Sequence, residues 1–423
     1  MMAAAVLGQA AFALLFVVMS RASSPAALGT ATAFYGLALI VTDVVDFGTS
    51  PRTFRDAAAQ KIDDAGIQAI FDGRNLIALV VGLAWILSSY WTPLNLWEST
   101  AVASFILLRV NEVATFGLIQ ANEQFADASW ASVAERVATL AVGSLFIGVG
   151  VPVVPSFFWA LAIGALTGLL LARRKCLRAV RLRCSITAFR TLKDYGKYGK
   201  VFAFSGLVTD FYMLDGLLIS SVASSSQAGY FAVGSRLTGP FAVVATSLGS
   251  ALTPRVAAAK DRRSLLKGLW IASGITLAVT AVALGIVFVT APWMVIAVFG
   301  QEYEASIAVV QAYALAGIVV AVTYPLISYL QASGRATGVA WVLATGVTTH
   351  LALVTHGAAV GGASGAAKGY LIANCLVLVL LLILLRSKEK PSEPVKPMLA
   401  ISATREVILA SVEQTEDAKP SAT

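Results

Sequence analysis

Charged residues stand inside otherwise apolar stretches of this chain. Arg109 and Glu112 lie in "FILLRVNEVATFGLI", Glu135 and Arg136 in "SVAERVATLAVG", Asp210 and Asp215 in "VTDFYMLDGLLI", and Arg236 in "YFAVGSRLTGPF". Three kinds of chemistry suit such residues. An arginine meets phosphate oxygens with both its charge and its forked donors. A lone acid at membrane depth can take part in ion or proton coupling. An opposite pair can simply lock two helices together. An ionisable group in lipid costs at least a few kcal/mol, so each needs a partner or a task.

Depth arithmetic suggests partners. Asp215 lies about six residues before the end of one apolar run, and Arg236 about seven after the start of the next. At about 1.5 Å per helical residue the two reach similar depth and are expected to pair across a hairpin. Arg109 and Glu112, three apart, share a helix face. Glu112 and Arg136 also match in depth, whereas Glu135 points about 100° away from Arg136. Asp210 has no evident partner, which leaves ion coupling and a hydrogen bond to a neighbouring helix as open alternatives. Arg109, near mid-membrane, is the leading candidate to meet an anion.

The elements that must carry these groups follow from composition. The chain is 58% hydrophobic and only 13% charged, against about 25% charged in soluble domains. Apolar runs near the length of about 20 residues that a spanning helix needs recur along it. They read as twelve helices, at 3–19, 28–47, 75–91, 100–120, 128–148, 153–172, 201–221, 229–250, 268–290, 306–330, 337–355 and 364–385. The runs are continuous rather than alternating, which excludes a transmembrane barrel. No Lys or Arg precedes the first run and "MSRASSPA" is a poor cleavage site, so a helix is read there rather than a signal peptide.

Of the 31 Lys and Arg, all but Arg21, Arg109, Arg136, Arg236 and Lys368 fall in 48–74, 173–200, 251–267, 331–336 and the stretch after 385. Those segments lie on one side if the helices alternate, so the positive-inside rule places both termini in the cytoplasm of an inner (plasma) membrane protein. Segment 173–200 carries ten cations and one acid. With no nucleic-acid-reading motif beside it, it is expected to lie against anionic lipid, and no nucleic acid is expected as partner. Cys176 and Cys184 lack zinc spacing, and no metal site is expected. His350 and His356 read as two unrelated polar residues near a helix end.

The helices divide six and six around the basic segment. "ALGTATAFYGLALIVTDVVDFGTSPRTFRDAAAQK" (27–61) and "AGYFAVGSRLTGPFAVVATSLGSALTPRVAAAK" (228–260) each open on a Gly at a helix start and close on Pro-Arg. Both are second helices of their halves and run in the same direction, which predicts parallel repeats enclosing a cavity. The expected domains are a first lobe at 1–172, a basic linker at 173–200, a second lobe at 201–385, and a polar tail at 386–423 that reads as disordered. No Walker A sequence is present, and "VGGASGAAKG" (360–369) reads as small-residue helix packing rather than a phosphate cradle. Neither catalysis nor a bound cofactor is expected.

"SRASSPAALGTATAF" followed by "DFGTSPRTFRDAA", then "YMLDGLLISSVASSSQAGYFAVGSRL…LTPRVAAA" and "FGQEYEASIAVVQAYALAGIVVAVTYPLISYLQASGRATG", resemble Wzx-type flippases of polysaccharides and lipid-linked oligosaccharides. These belong to the multidrug/oligosaccharidyl-lipid/polysaccharide exporter superfamily. The resemblance spans nearly the whole chain up to about residue 385. It implies an all-α membrane protein with two six-helix lobes around an alternating-access cavity. It also implies a polyprenyl-diphosphate-linked glycan as cargo; glycan polymerase and glycosyltransferases are expected as partners, and the lone intramembrane acid leaves proton or sodium coupling open. By position, Arg21, Arg52 and Arg236 are the cations it would set against the diphosphate, beside Arg109. Glu112, Glu135, Arg136, Asp210 and Asp215 are the ion-pair or coupling candidates. No short polar lead precedes helix one, and the tail after 385 matches no family role. Two alternatives stand beside this expectation: a multidrug or small-cation exporter of the same superfamily, and a non-transporting scaffold of a glycan-assembly complex.

Overall fold

The computed structural model describes residues 2–176, 183–185, 188, 192, 195, 210–239, 262–333 and 335–387. The helices in order are α1 (Met2–Ala22), α2 (Pro25–Asp46), α3 (Thr49–Ala58), α4 (Asp64–Leu87), α5 (Leu96–Ala121), α6 (Phe125–Gly148) and α7 (Val153–Lys175). Then come α8 (Asp215–Val222), entered through the 3-10 turn Phe211–Leu214, a helix over 225–239 (α9), α10 (Arg262–Phe299) and α11 (Ile307–Ala332). The stretch Ala336–Arg386 is broken at Gly361 and Gly362, whose backbones leave the helical region, and so forms two helices, α12 and α13. Apart from the short α3, the described residues form twelve helices of an all-α membrane protein, in two six-helix lobes around a cavity. No strand occurs among the described residues.

Local chemistry sets the turns. Ser24 caps α2, with Pro25 in the first turn where its missing N–H costs nothing. Asn95 and Glu98 form a capping box at 2.9 Å in both directions, starting α5. The side chain of Asp63 accepts from the Gly66 amide at 2.8 Å and starts α4 at Asp64, well before the expected 75. The reason is that Arg74, which the sequence reading left in a loop, lies inside the span with its charge matched by Asp46 at 3.0 Å. Likewise α10 continues to Phe299 rather than 290. The Pro254-Arg255 end of the second repeat, much of the basic linker, the first half of the seventh span and nearly all of the tail lie outside the described residues.

Helix ends gather at two faces. The first face carries the turns at 23–24, 88–95, 149–152 and 223–224, and the second carries α3 and the ends of α5, α7 and α11. The first lobe is built on an aromatic core in which Phe12, Phe16, Tyr35 and Phe157 meet edge-on or tilted, with centroids 5.3–6.4 Å apart. On α10, Ile271, Ile275, Val279, Val282, Ile286 and Val289 recur every three or four residues and are all exposed. Such an uninterrupted apolar stripe is the lipid-facing side of a membrane helix.

The two lobes meet at the first face through the paired glycines of the repeat. A Cβ on Gly29 would strike the Ser225 carbonyl and approach the Gly229 amide to 2.7 Å. A Cβ on Gly229 would strike the Pro25 carbonyl and approach the Gly29 amide to 3.2 Å. The contact is reciprocal, as a two-fold relation between repeats requires. One turn or two deeper, a Cβ on Gly36 would strike the Met213 carbonyl and one on Gly216 would come within 3.2 Å of the Ala33 backbone, so α2 and the entry to α8 also pack backbone to backbone. In the α12–α13 hairpin Gly357 and Gly365 face each other in the same way, and Gly369 lies on Leu353. The glycine-rich segment is indeed small-residue packing, with Gly362 at φ 59° forming the turn.

Candidate substrate cavity

Beneath the glycine seal lies a cavity of about 360 Å³ lined by both lobes, among them Gln9 and Tyr35 from the first and Tyr212, Asp215, Arg236 and Tyr370 from the second. That volume is within the usual range of small-molecule sites. Arg236 enters it from α9 among rings. Its guanidinium carbon lies 4.4 Å from the Phe16 centroid, 5.1 Å from Phe12 and 5.8 Å from Tyr35. No carboxylate among the described residues forms an ion pair with it, and its Nε has no hydrogen-bond partner there. Aromatic faces hold a cation electrostatically while leaving its in-plane donors free.

The expected partner is engaged elsewhere. Asp215 Oδ1 lies 2.8 Å from Nε2 of His350, on α12, and His350 is fully buried. Matching depth along two neighbouring helices says nothing about azimuth, and α8 turns Asp215 toward α12 rather than toward α9. His350 is therefore the main residue that sequence reasoning missed. The one available signal was a titratable ring inside an uncharged helix. Around it stand Tyr212 at 4.5 Å and Tyr370 at 5.4 Å between centroids, with Tyr370 stacked on Tyr313 at 4.4 Å. Asp210, for which no partner was evident, lies beside the carboxyl of Asp43 on the neighbouring α2.

A second charged group lies wholly within the first lobe. Arg109 Nη1 meets Glu112 at 2.7 Å and Glu135 at 3.2 Å, and both carboxylates are buried. The expected Glu112–Arg136 pairing is corrected here: Glu135 is the residue of α6 that faces α5. Arg136 lies 3.7 Å from Glu135 and sets its guanidinium 4.7 Å over the Phe12 ring. Gly168 of α7 makes room, since a Cβ there would overlap the Glu112 carboxylate. Arg109, the leading sequence candidate, is thus matched by two acids and is not among the cavity-lining residues.

The remaining candidates sit at the faces. Arg21 donates through Nε to the Val298 carbonyl at 2.8 Å and also to the Ala297 carbonyl, at the end of α10. The carbonyl end of a helix is partially negative, so this joins lobe to lobe at the first face. Arg52 lies 3.7 Å over the Tyr195 ring and 3.2 Å from Asp56, and donates to the Tyr195 carbonyl. Burial alone would raise the Asp56 carboxyl, but hydrogen bonds from Arg55, Tyr195 and Arg52 prevail and hold it below the usual range. Burial, together with neighbouring Asp56, pushes the Tyr195 phenol up to about 12. Among the described residues no group of His, Cys, Asp and Glu could hold a metal ion.

A sequence model for a family described as polysaccharide biosynthesis protein matches residues 18–308. The chain belongs to that family. No curated protein is matched. Solved structures are similar over nearly the whole chain. The lipid II flippase MurJ in an inward closed conformation has a TM-score of 0.75 at 13% identity, covering 99% of this chain and 93% of that one. An inward-facing multidrug resistance MATE family transporter of the MOP superfamily has a TM-score of 0.71 at 13% identity, covering 89% and 93%. A MOP superfamily transporter from Pyrococcus furiosus, described as having a binding pocket of reversed polarity, has a TM-score of 0.58 at 14% identity, covering 90% and 93%. This family member thus shares the fold of these transporters and flippases.

Proposed function

We propose that this polysaccharide-biosynthesis protein is an alternating-access flippase. It carries a polyprenyl-diphosphate-linked oligosaccharide from the inner to the outer leaflet of the plasma membrane, with both termini cytoplasmic and the 173–200 segment on anionic lipid. The observation that carries this reading is Arg236, a guanidinium in the cavity between the lobes, held by rings and unmatched by any described carboxylate. A diphosphate supplies acceptors that match a guanidinium fork, and Nε of Arg236 has no hydrogen-bond partner among the described residues. Arg136, 4.7 Å from the centroid of the same Phe12 ring, offers a second guanidinium from the opposite lobe. A cavity for drug cations would favour free acids, whereas Asp215 is held by His350. On this reading the glycan polymerase and glycosyltransferases act on either side of the transport step.

The test is export in cells. Arg236→Lys keeps the charge and loses the fork, so lipid-linked oligosaccharide should accumulate on the inner leaflet, and Arg236→Ala should accumulate more at equal protein level. Normal flipping in both variants, or no lipid-linked intermediate in either, overturns the reading. Orientation is checked separately by thiol labelling. Cysteines at Ser225 and Glu302 should react with an impermeant reagent from outside intact cells, and Cys176 should not.

A further inference from the structure

We propose that Asp215 and His350 form a proton-binding site, and that its occupancy sets how tightly the cavity holds an anionic headgroup. The inference rests on the proposed diphosphate-binding role of Arg236. Its first support is geometry. A carboxylate and an imidazole lie 2.8 Å apart with His350 fully buried, and the other ring nitrogen, Nδ1, is buried without a hydrogen-bond partner. With one proton between them, Nε2–H donates to the carboxylate and the pair carries one negative charge. A second proton makes the pair neutral overall, either as imidazolium and carboxylate or with both groups uncharged. Proton binding therefore changes the charge beside the cavity by a full unit, and no other bond is made or broken.

The second support is what surrounds the pair. From the turn before α8 comes Tyr212, from α11 Tyr313 and Tyr324, and from α13 Tyr370, while Tyr35 of α2 and the guanidinium of Arg236 from α9 line the same cavity as Asp215. All of these but Arg236 are phenols, so among them the pair and Arg236 carry the formal charge. Asp215 and Arg236 line the same cavity. While the pair is singly protonated, its negative charge offsets Arg236 and repels an incoming diphosphate. Once it is doubly protonated, Arg236 acts unopposed. Proton and anion then favour each other's binding, and linkage requires the effect to be reciprocal.

The experiment uses the full-length protein in lipid nanodiscs with inorganic pyrophosphate as the probe. Binding is measured by calorimetry from pH 5.5 to 8, in pairs of buffers with different ionisation enthalpies. Comparing variants at each pH cancels the probe's own protonation. Asp215→Asn should bind more tightly than wild type at pH 8. His350→Gln keeps a donor to Asp215 but cannot take the proton, and should bind more weakly than wild type at pH 5.5. Each difference should be about tenfold, within the usual range for coupled sites, and should vanish at the opposite end of the pH range. Proton uptake on binding should be larger in wild type than in either variant. Losses of similar size in both variants at all pH values, or equal proton uptake in all three proteins, overturn the proton site while leaving the Arg236 reading intact. Absence of pyrophosphate binding to wild type at every pH overturns both.

Discussion

Two of the charged groups buried among the described residues are built on opposite plans. Inside the first lobe, Arg109 is clasped by Glu112 and Glu135 from two helices, and Gly168 of a third is hollowed to fit the carboxylate. At the interface between the lobes, Arg236 is held by Phe12, Phe16 and Tyr35 and has no acid paired with it among the described residues. The first plan fixes three helices as a unit and consumes its charge in doing so. The second keeps a charge accessible in a cavity by surrounding it with groups that tolerate a cation without neutralising it. An intramembrane arginine is thus not informative by its type; what it touches decides whether it is a fastener or a site.

The largest expected effect is on the fastener. Removing one partner of a buried pair leaves the other charge uncompensated, at a cost of about 3–5 kcal/mol. Arg109→Ala, which strands two carboxylates, should therefore sharply lower the amount of folded protein and its thermal unfolding temperature. Arg236→Ala strands no partner and should leave both nearly unchanged. Equal loss of folded protein in the two variants would erase the distinction between the groups. Gly168→Ala sharpens it from the packing side, because the new methyl group overlaps the Glu112 carboxylate. Overpacking of this kind costs about 1–3 kcal/mol, so the unfolding midpoint should fall without any change at the cavity.

Glycine at the lobe interface should behave differently from glycine within a lobe. Gly29→Ala places a methyl group against the Ser225 carbonyl, between two bodies that can separate. Relief comes by parting the lobes at the first face rather than by distorting either one. The expected outcome is faster modification of a cysteine placed at Gln9, which lines the cavity, with the unfolding temperature nearly preserved. Unchanged reactivity at Gln9 together with reduced stability would mean that the seal is part of a single rigid core.

How much of this was legible in the sequence follows from what periodicity can encode. Continuous apolar runs and the Gly29 and Gly229 starts carry helix number and repeat. The Arg109–Glu112 pair was legible because three residues along one helix is a fixed geometry. Pairings between helices were not, because depth is readable from sequence and azimuth is not. Asp215 was assigned to Arg236 at equal depth and meets His350 instead, and Glu135 rather than Arg136 faces Glu112. Arg74 was placed in a loop because a charge near the end of an apolar run looks like its boundary, and Asp46, from another helix, removes that reason.

The smallest effect belongs at the second face, where Asp56 gathers Arg52, Arg55 and Tyr195 and so ties the segment after α7 to α3. This group titrates in water's reach, so it contrasts with both buried groups. Its carboxyl is held below the usual range when folded, chiefly because the hydrogen bonds to its charged form outweigh burial. A group of that sign contributes stability that is fully present above its unfolded value, about 3.9, and lost as pH falls through the lower folded value. The contact should hold unchanged across neutral pH and loosen only in acid. Tyr195→Phe removes the 3.0 Å hydrogen bond to Asp56 and should cost about 1 kcal/mol. The readout is proteolysis between residues 183 and 195, slow in wild type at pH 7 and faster in Tyr195→Phe. The two should converge as the carboxyl becomes protonated. Cleavage that speeds up toward alkaline pH instead, near the phenol's value of about 12, would show that Tyr195 rather than Asp56 governs the tie.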